Sequence, residues 1–237
     1  MEKLFYALWR PEAAAAETWC AALRGLPDAL ASTGAQRISV GVPDVPAPQD
    51  DPYAGMRRTA PHGMVSFWLN SAHYRHAAEA LVHAQTARLA GYAVQESTIL
   101  PNTTPGAGQR EDGFLQVCGF AALPGLSRTA LWAAWLEQHT DVAVQTQSTT
   151  YYNQNIVIRP LTDGAPAWDA IVEERFPDAA LNDREAYFAA AGNAARMAAN
   201  SQRMAASCAR FIDFATLSLM NCGEYRFGGW ADQPQRA

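Results

Sequence analysis

A short apolar run from Leu4 to Trp9 passes through Pro11 into an Ala-rich, Trp- and Leu-bearing stretch, and a second run from Leu115 to Ala122 passes through Pro124 into another. A shift of 113 positions superimposes Pro11 on Pro124, Trp19 on Trp132, Leu23 on Leu136 and Asp28 on Asp141 without a gap. What recurs is a strand followed by a helix, and a repeat at fixed offset is the mark of a duplicated unit. In the first half the pattern predicts strands over Lys3 to Trp9, Arg37 to Val42, Met64 to Leu69 and Tyr92 to Leu100. Helices are expected over Glu12 to Arg24, stopped by Gly25 and Pro27, and over Ser71 to Leu89, stopped by Gly91. The segment Pro43 to Gly63, with five prolines and three aspartates, is too long and irregular for a tight turn and is expected to lie as a lid over a cavity mouth.

The second half repeats the order. Strands are expected over Gly113 to Ala122, Thr150 to Arg159, Trp168 to Arg175 and Phe214 to Phe227, with helices over Ser127 to His139 and, interrupted near Gly192, over Asn182 to Ala206. Each half therefore reads strand-helix-strand-strand-helix-strand, a ferredoxin-like unit with two helices on one sheet face and the other face bare. The expected fold is α+β: two tandem ferredoxin-like repeats packed sheet to sheet as an intrachain dimeric α+β barrel. Residues 1–100 form the first repeat, 101–112 a Pro/Gly/Thr-rich linker, and 113–237 the second repeat carrying the site. Such a barrel is expected to enclose a cavity lined by inward-pointing side chains, and cavities of that kind bind small molecules.

Composition narrows the function. A hydrophobic fraction of 49%, 10% aromatics and a formal charge of -5 without charge blocks are ordinary for a globular chain and offer no basic stripe to a phosphate backbone, so nucleic acid is not an expected partner. Cys20, Cys118, Cys208 and Cys222 are scattered, with no paired spacing for a metal, and read as buried thiols. No run reaches the roughly 18 apolar residues of a membrane span, and the first residues lack a signal-peptide pattern; a cytoplasmic location without membrane partners is the default expectation. No nucleotide loop, nucleophile elbow or H-E-x-x-H element is present, and the expected cofactor set is empty.

In the second half, Gly125-Leu126-Ser127 opens a helix that runs into Trp135-Leu136-Glu137-Gln138-His139. Tyr151-Tyr152-Asn153-Gln154-Asn155 then leads into Ile156 to Pro160, and Phe211-Ile212-Asp213 precedes the last strand. Together these resemble EthD-type dimeric α+β barrel proteins over residues 113 to 227. The relatives so implied include cofactor-free monooxygenases, lactone isomerases, dehydratases and decarboxylases of aromatic polyketides. Ile156 stands where the family often carries a histidine, and the first repeat has Leu26 where the second has His139. The resemblance therefore points to a single asymmetric site centred on His139.

Trp132, Trp135, Leu136 and His139 fall at i, i+3, i+4 and i+7, which places the imidazole on an inward, Trp-bearing helix face. A helix-end histidine feels the negative helix terminus on one side and apolar surroundings on the other, and either balance is expected to leave it titrating near physiological pH as a catalytic acid/base. As a plain structural residue it would cap its own helix. On the following strand Tyr151, Asn153 and Asn155 share one face, expected as a substrate-binding wall. If the faces are reversed, Tyr152 is the catalytic phenol. Asp213 is a candidate carboxylate partner to the imidazole, with a turn cap as the plainer reading. Trp135 and, through the lid, His62 complete the substrate-binding set; His73, His76 and His83 read as a solvated surface.

Three functions remain open. The first is a cofactor-independent lyase or isomerase, of dehydratase or decarboxylase type, acting on a small apolar or aromatic carbonyl metabolite in catabolism. The second is a cofactor-free monooxygenase of an aromatic or polyketide substrate. The third is a non-catalytic small-molecule-binding protein. The partner expected in each is a small molecule, with pairing into a homodimer left open.

Overall fold

In the computed structural model, which describes residues 1–48, 55, 60–104 and 106–229, the strand that opens the chain is buried on both sides. In β1 (Glu2–Trp9) Leu4, Tyr6 and Leu8 face a helical layer while Lys3, Phe5 and Ala7 face inward. Burial on both faces explains why the run reads as nearly continuous hydrophobicity rather than as alternation.

The first repeat continues with α1 (Ala16–Arg24), α2 (Pro27–Ser32), β2 (Gln36–Val42), β3 (Gly63–Leu69), α3 (His76–His83) and β4 (Arg88–Leu100). Pro27 does not merely stop the first helix; as an N1 proline it starts a second one. The helix expected to reach Leu89 ends at His83, and Gly91 lies inside β4, where a Cβ would come within 2.6 Å of the Tyr6 ring. Gly91 serves close packing there, not a helix stop.

The second repeat comprises β6 (Phe114–Phe120), a long helical passage from Arg128 to Thr146, β7 (Tyr151–Pro160), β8 (Ala170–Phe176), α6 (Arg184–Tyr187), α7 (Ala194–Cys208) and β9 (Ser218–Phe227). Between the repeats the expected linker contains a short strand, β5 (Ala107–Arg110), laid against β9. Backbone groups next to a sheet edge are satisfied most cheaply by joining it.

Strand order is β2-β3-β1-β4 in the first repeat and β7-β8-β6-β9 in the second, the same ferredoxin-like order twice. The fold is the expected α+β barrel, and its two sheets do more than face each other. Ladders β4–β7 and β2–β9 join them at both edges, so eight antiparallel strands close on themselves. Closure removes the exposed edges that an open sheet must protect.

Large apolar side chains and charged groups share the barrel interior. Phe5, Tyr92, Leu115, Val117, Val157, Trp168, Ile171 and Met220 pack one part of it. Elsewhere inside lies a buried ionic network. Lys3 Nζ reaches Glu173 Oε2 at 2.5 Å, Glu96 Oε2 at 2.6 Å and Asn155 Oδ1 at 3.0 Å. Arg175 binds Glu224, which also accepts from Ser39 Oγ at 2.8 Å, and lies 3.3 Å from Glu111. Burial alone would discharge Lys3, but Glu173 and Glu96 more than offset it and hold the ammonium above its usual range.

Among the described residues no helix is long and apolar enough to cross a membrane, and no group of three or more His, Cys, Asp or Glu could hold a metal ion.

Candidate functional site

A cavity of about 130 Å³ lies outside the barrel, between the outer face of β6 to β9 and the second repeat's helices. Inside the barrel, where the sequence leads to the expectation of a cavity, Trp168, Tyr92 and the ionic network are buried.

The local helix geometry decides what faces this cavity. The passage starts at α4 (Arg128–Trp132), where Ser127 Oγ accepts from the Ala130 N–H at 3.2 Å, widens into a π-helical segment over Ala133–His139, and resumes as α5 (Thr140–Thr146). His139 is therefore in mid-helix and not at a C-terminus. From Leu131 to Ala143 its buried residues recur in steps of four, Leu131, Trp135, His139 and Ala143, before Thr146 ends the series. An α-helix would rotate such a series off the core, whereas the wider i→i+5 turn holds it on one side. Trp132, expected inward, is 37% exposed and lies under the Arg128 guanidinium.

Trp135, His139 and Tyr152 line the cavity together. His139 Nδ1 is 2.9 Å from Ser207 Oγ, and its ring stands edge-on to Phe211 at a centroid distance of 5.0 Å. Burial first, and the nearby Arg210 second, push its pKa down to about 4, so the expected titration near pH 7 gives way to a neutral ring. Arg210 also donates to Ser207 Oγ at 3.2 Å. With Arg210 donating to it, the Ser207 hydroxyl can give its own proton to Nδ1, and in that tautomer the imidazole proton sits on Nε2. Tyr152 Oη accepts from Gln154 Nε2 at 2.9 Å and has the Trp135 indole as a second hydrogen-bonding neighbour. Its own O–H is left to donate.

The other sequence candidates lie elsewhere. Tyr151, Asn153 and Asn155 face the barrel interior: Asn153 Nδ2 donates to Tyr151 Oη at 2.6 Å, and Asn155 Nδ2 donates to Glu173 Oε2 at 2.8 Å. It is the opposite strand face, with Tyr152, that meets the cavity. Asp213 caps a turn by accepting from the Ala215 N–H at 3.0 Å, while its neighbours Ile212 and Phe214 reach the cavity wall. His62 Nδ1 accepts from the Arg10 N–H at 3.0 Å and does not line the cavity. Most of the expected lid, residues 49–54 and 56–59, falls outside the described residues; its described flanks do not line the cavity.

One cavity residue was missed. Glu174 on β8 stands in register between Tyr152 of β7 and Gln116 of β6. It is 8% exposed and has no hydrogen bond or ion pair among the described residues. Burial pushes its carboxyl up to about 7. The available signal was its strand face: Ala170, Val172 and Phe176 alternate with it, so a carboxylate sits on an otherwise apolar side.

That shift predicts a pH-dependent cost. With a folded pKa above the ordinary value of 4.5, Glu174 costs nothing while protonated in both states, and destabilises progressively as pH rises from there toward 7. The stability margin of Glu174→Gln over the wild type is expected to grow by about 2 kcal/mol between roughly pH 4 and pH 6. Denaturant unfolding of both proteins across that interval checks it; a constant margin would mean that Glu174 is solvated.

No family model matches the chain, and no curated protein matches it. Solved structures of similar fold include an anthrone oxidase-like protein, 13% identical over 98% of this chain and 93% of that one with a TM-score of 0.49. A proposed monooxygenase from Lactobacillus acidophilus NCFM is 10% identical over 95% and 93%, TM-score 0.44. A mutant chlorite dismutase from Candidatus Nitrospira defluvii is 9% identical over 93% and 90%, TM-score 0.45.

Proposed function

We propose that this protein is a cofactor-independent acid/base enzyme of lyase or isomerase type, acting on a small aromatic or apolar compound that carries a carbonyl. The observation that carries the reading is the meeting of a neutral, Ser207-bonded His139 and the Tyr152 hydroxyl, which accepts from its neighbours and keeps its O–H to donate, on one aromatic-walled cavity. Two neutral donors in a water-poor site suit a carbonyl oxygen that gains negative charge during reaction. The EthD-type resemblance of residues 113 to 227 supports placing this chemistry at His139.

Size limits the ligand. An apolar cavity of roughly 150 Å³ holds one benzene ring, so a volume of about 130 Å³ limits the ligand to about a single ring. Phe120, Trp135 and Phe211 form the apolar walls, and such surfaces favour a flat, uncharged compound.

Acetophenone is a suitable probe. Saturation-transfer NMR is expected to detect its binding to the wild type and to lose it in Cys208→Phe, whose ring would fill the cavity. Binding that survives the filled cavity would place the ligand elsewhere and remove this reading; tight binding of many ketones with no turnover would favour a carrier.

A further inference from the structure

We infer that Glu174 is the group that moves the proton, acting as general base and then general acid, while His139 and Tyr152 hold the oxygen. This assignment rests on the reading of the cavity as a site for a carbonyl compound.

The geometry separates the roles. His139 is committed through Nδ1 to Ser207 and so offers a ligand one N–H, a donor. Tyr152 receives two donors and offers one O–H, again a donor. Glu174 is the cavity's one carboxylate, and no described residue donates to it. Burying an unpartnered carboxyl is costly, and partners were within easy reach of the fold: Gln116 and Tyr152 flank it in register, yet Gln116 turns its groups to Asn221 and Tyr187 instead. A carboxylate kept free beside two donors is the arrangement that removes a proton from the carbon next to a carbonyl while the oxygen is held.

The step balances within the site. Glu174 takes a proton from the α-carbon, the C–H electron pair becomes the C=C bond of the enolate, and the carbonyl pair moves to oxygen, where His139 N–H and Tyr152 O–H donate to it. Where the substrate carries a β,γ-double bond, the pair extends through it as a dienolate, and return of that proton to the γ-carbon moves the double bond into conjugation and completes an isomerisation. Where the β-carbon carries a hydroxyl, the enolate pair instead expels it, the C–O bond breaks, and the leaving oxygen takes the proton from Glu174 and departs as water.

Titratable and charged groups from every packed element face Glu174. They are Cys118 of β6, Tyr152 of β7, His139 of the π-helical segment, Tyr187 of α6 and Cys208 of α7, and Arg210 stands behind Ser207. Burial raises both Tyr152 and Cys208 and so keeps them protonated, while it keeps His139 neutral.

The test follows deuterium uptake at the methyl carbon of acetophenone in D2O by proton NMR. Wild-type protein is expected to exchange these protons faster than buffer, at a rate that rises with pH to a midpoint near 7 and then levels. Glu174→Gln, of nearly equal shape, is expected to bind acetophenone and exchange it at least a hundredfold more slowly. Exchange that persists in Glu174→Gln and follows His139 instead would overturn the assignment and leave the acid/base reading intact. Binding without exchange by the wild type would overturn both. The wild-type pH profile needs no variant, so a misfolded Glu174→Gln would not shield the proposal: a rate with no midpoint between pH 6 and pH 8 also overturns it.

Discussion

Replacing Lys3 with methionine is expected to lower the unfolding free energy by about 3 to 5 kcal/mol at neutral pH. Lys3 is 1% exposed and lies inside the barrel with Glu96 and Glu173, each within 2.6 Å of its ammonium. Methionine fills nearly the same volume, so packing changes little. What it removes is the counter-charge, and two carboxylates are then left together in a place water does not reach. The sign of the pH dependence follows. Without Lys3 the buried Glu173 carboxyl loses the charge that holds its pKa down and binds its proton more tightly in the folded state, so the deficit of Lys3→Met should shrink as pH falls toward 5. Denaturant melts at pH 7 and pH 5 measure both quantities, and a variant as stable as the wild type at pH 7 would mean that the network contributes no net stability.

Replacing His139 with leucine is expected to slow α-proton exchange of acetophenone by about a hundredfold to a thousandfold, the usual loss on removing one oxyanion donor. Leucine keeps the contact with Phe211 that the imidazole makes at 5.0 Å between centroids. The near-ultraviolet circular dichroism should therefore stay unchanged. Because the ring is already neutral at physiological pH, the loss should appear at every pH, without moving the midpoint of the profile. An unaltered exchange rate would show that the oxygen is held by other groups.

The duplication was legible because it left a trace in residues that build the fold. Pro11 and Pro124, with the apolar runs before them, mark equivalent strand-to-helix passages, and both halves take the same strand order. His139 was legible through its aromatic neighbours and the EthD-type pattern. Its environment was not, since a reading in steps of 3.6 residues puts Trp132 inward and ends the helix at His139, whereas the π-helical segment exposes Trp132 and carries the helix on to Thr146. No local signal announces such a widened turn. The face of β7 was ambiguous for a related reason: in this barrel both faces are buried, so Tyr151 and Tyr152 look alike in sequence and differ only in whether they meet Glu173 or Trp135. Glu174 was hidden by its neighbours Glu173 and Arg175, which make the strand read as a charged edge although all three are buried.

Closing the barrel has a consequence for how the chain reaches this state. The ladder β2–β9 joins Ile38 to Phe227 and Val42 to Gly223, so the seam that seals the cylinder links an early strand of one repeat to the last strand of the other. Until β9 is present, β2 is an unpaired edge able to recruit a strand from another nascent chain. Pairings so distant in sequence raise the contact order and slow the search, because loop-closure entropy is spent before the contacts return it. The nascent first repeat is thus a half-cylinder waiting for its last strand.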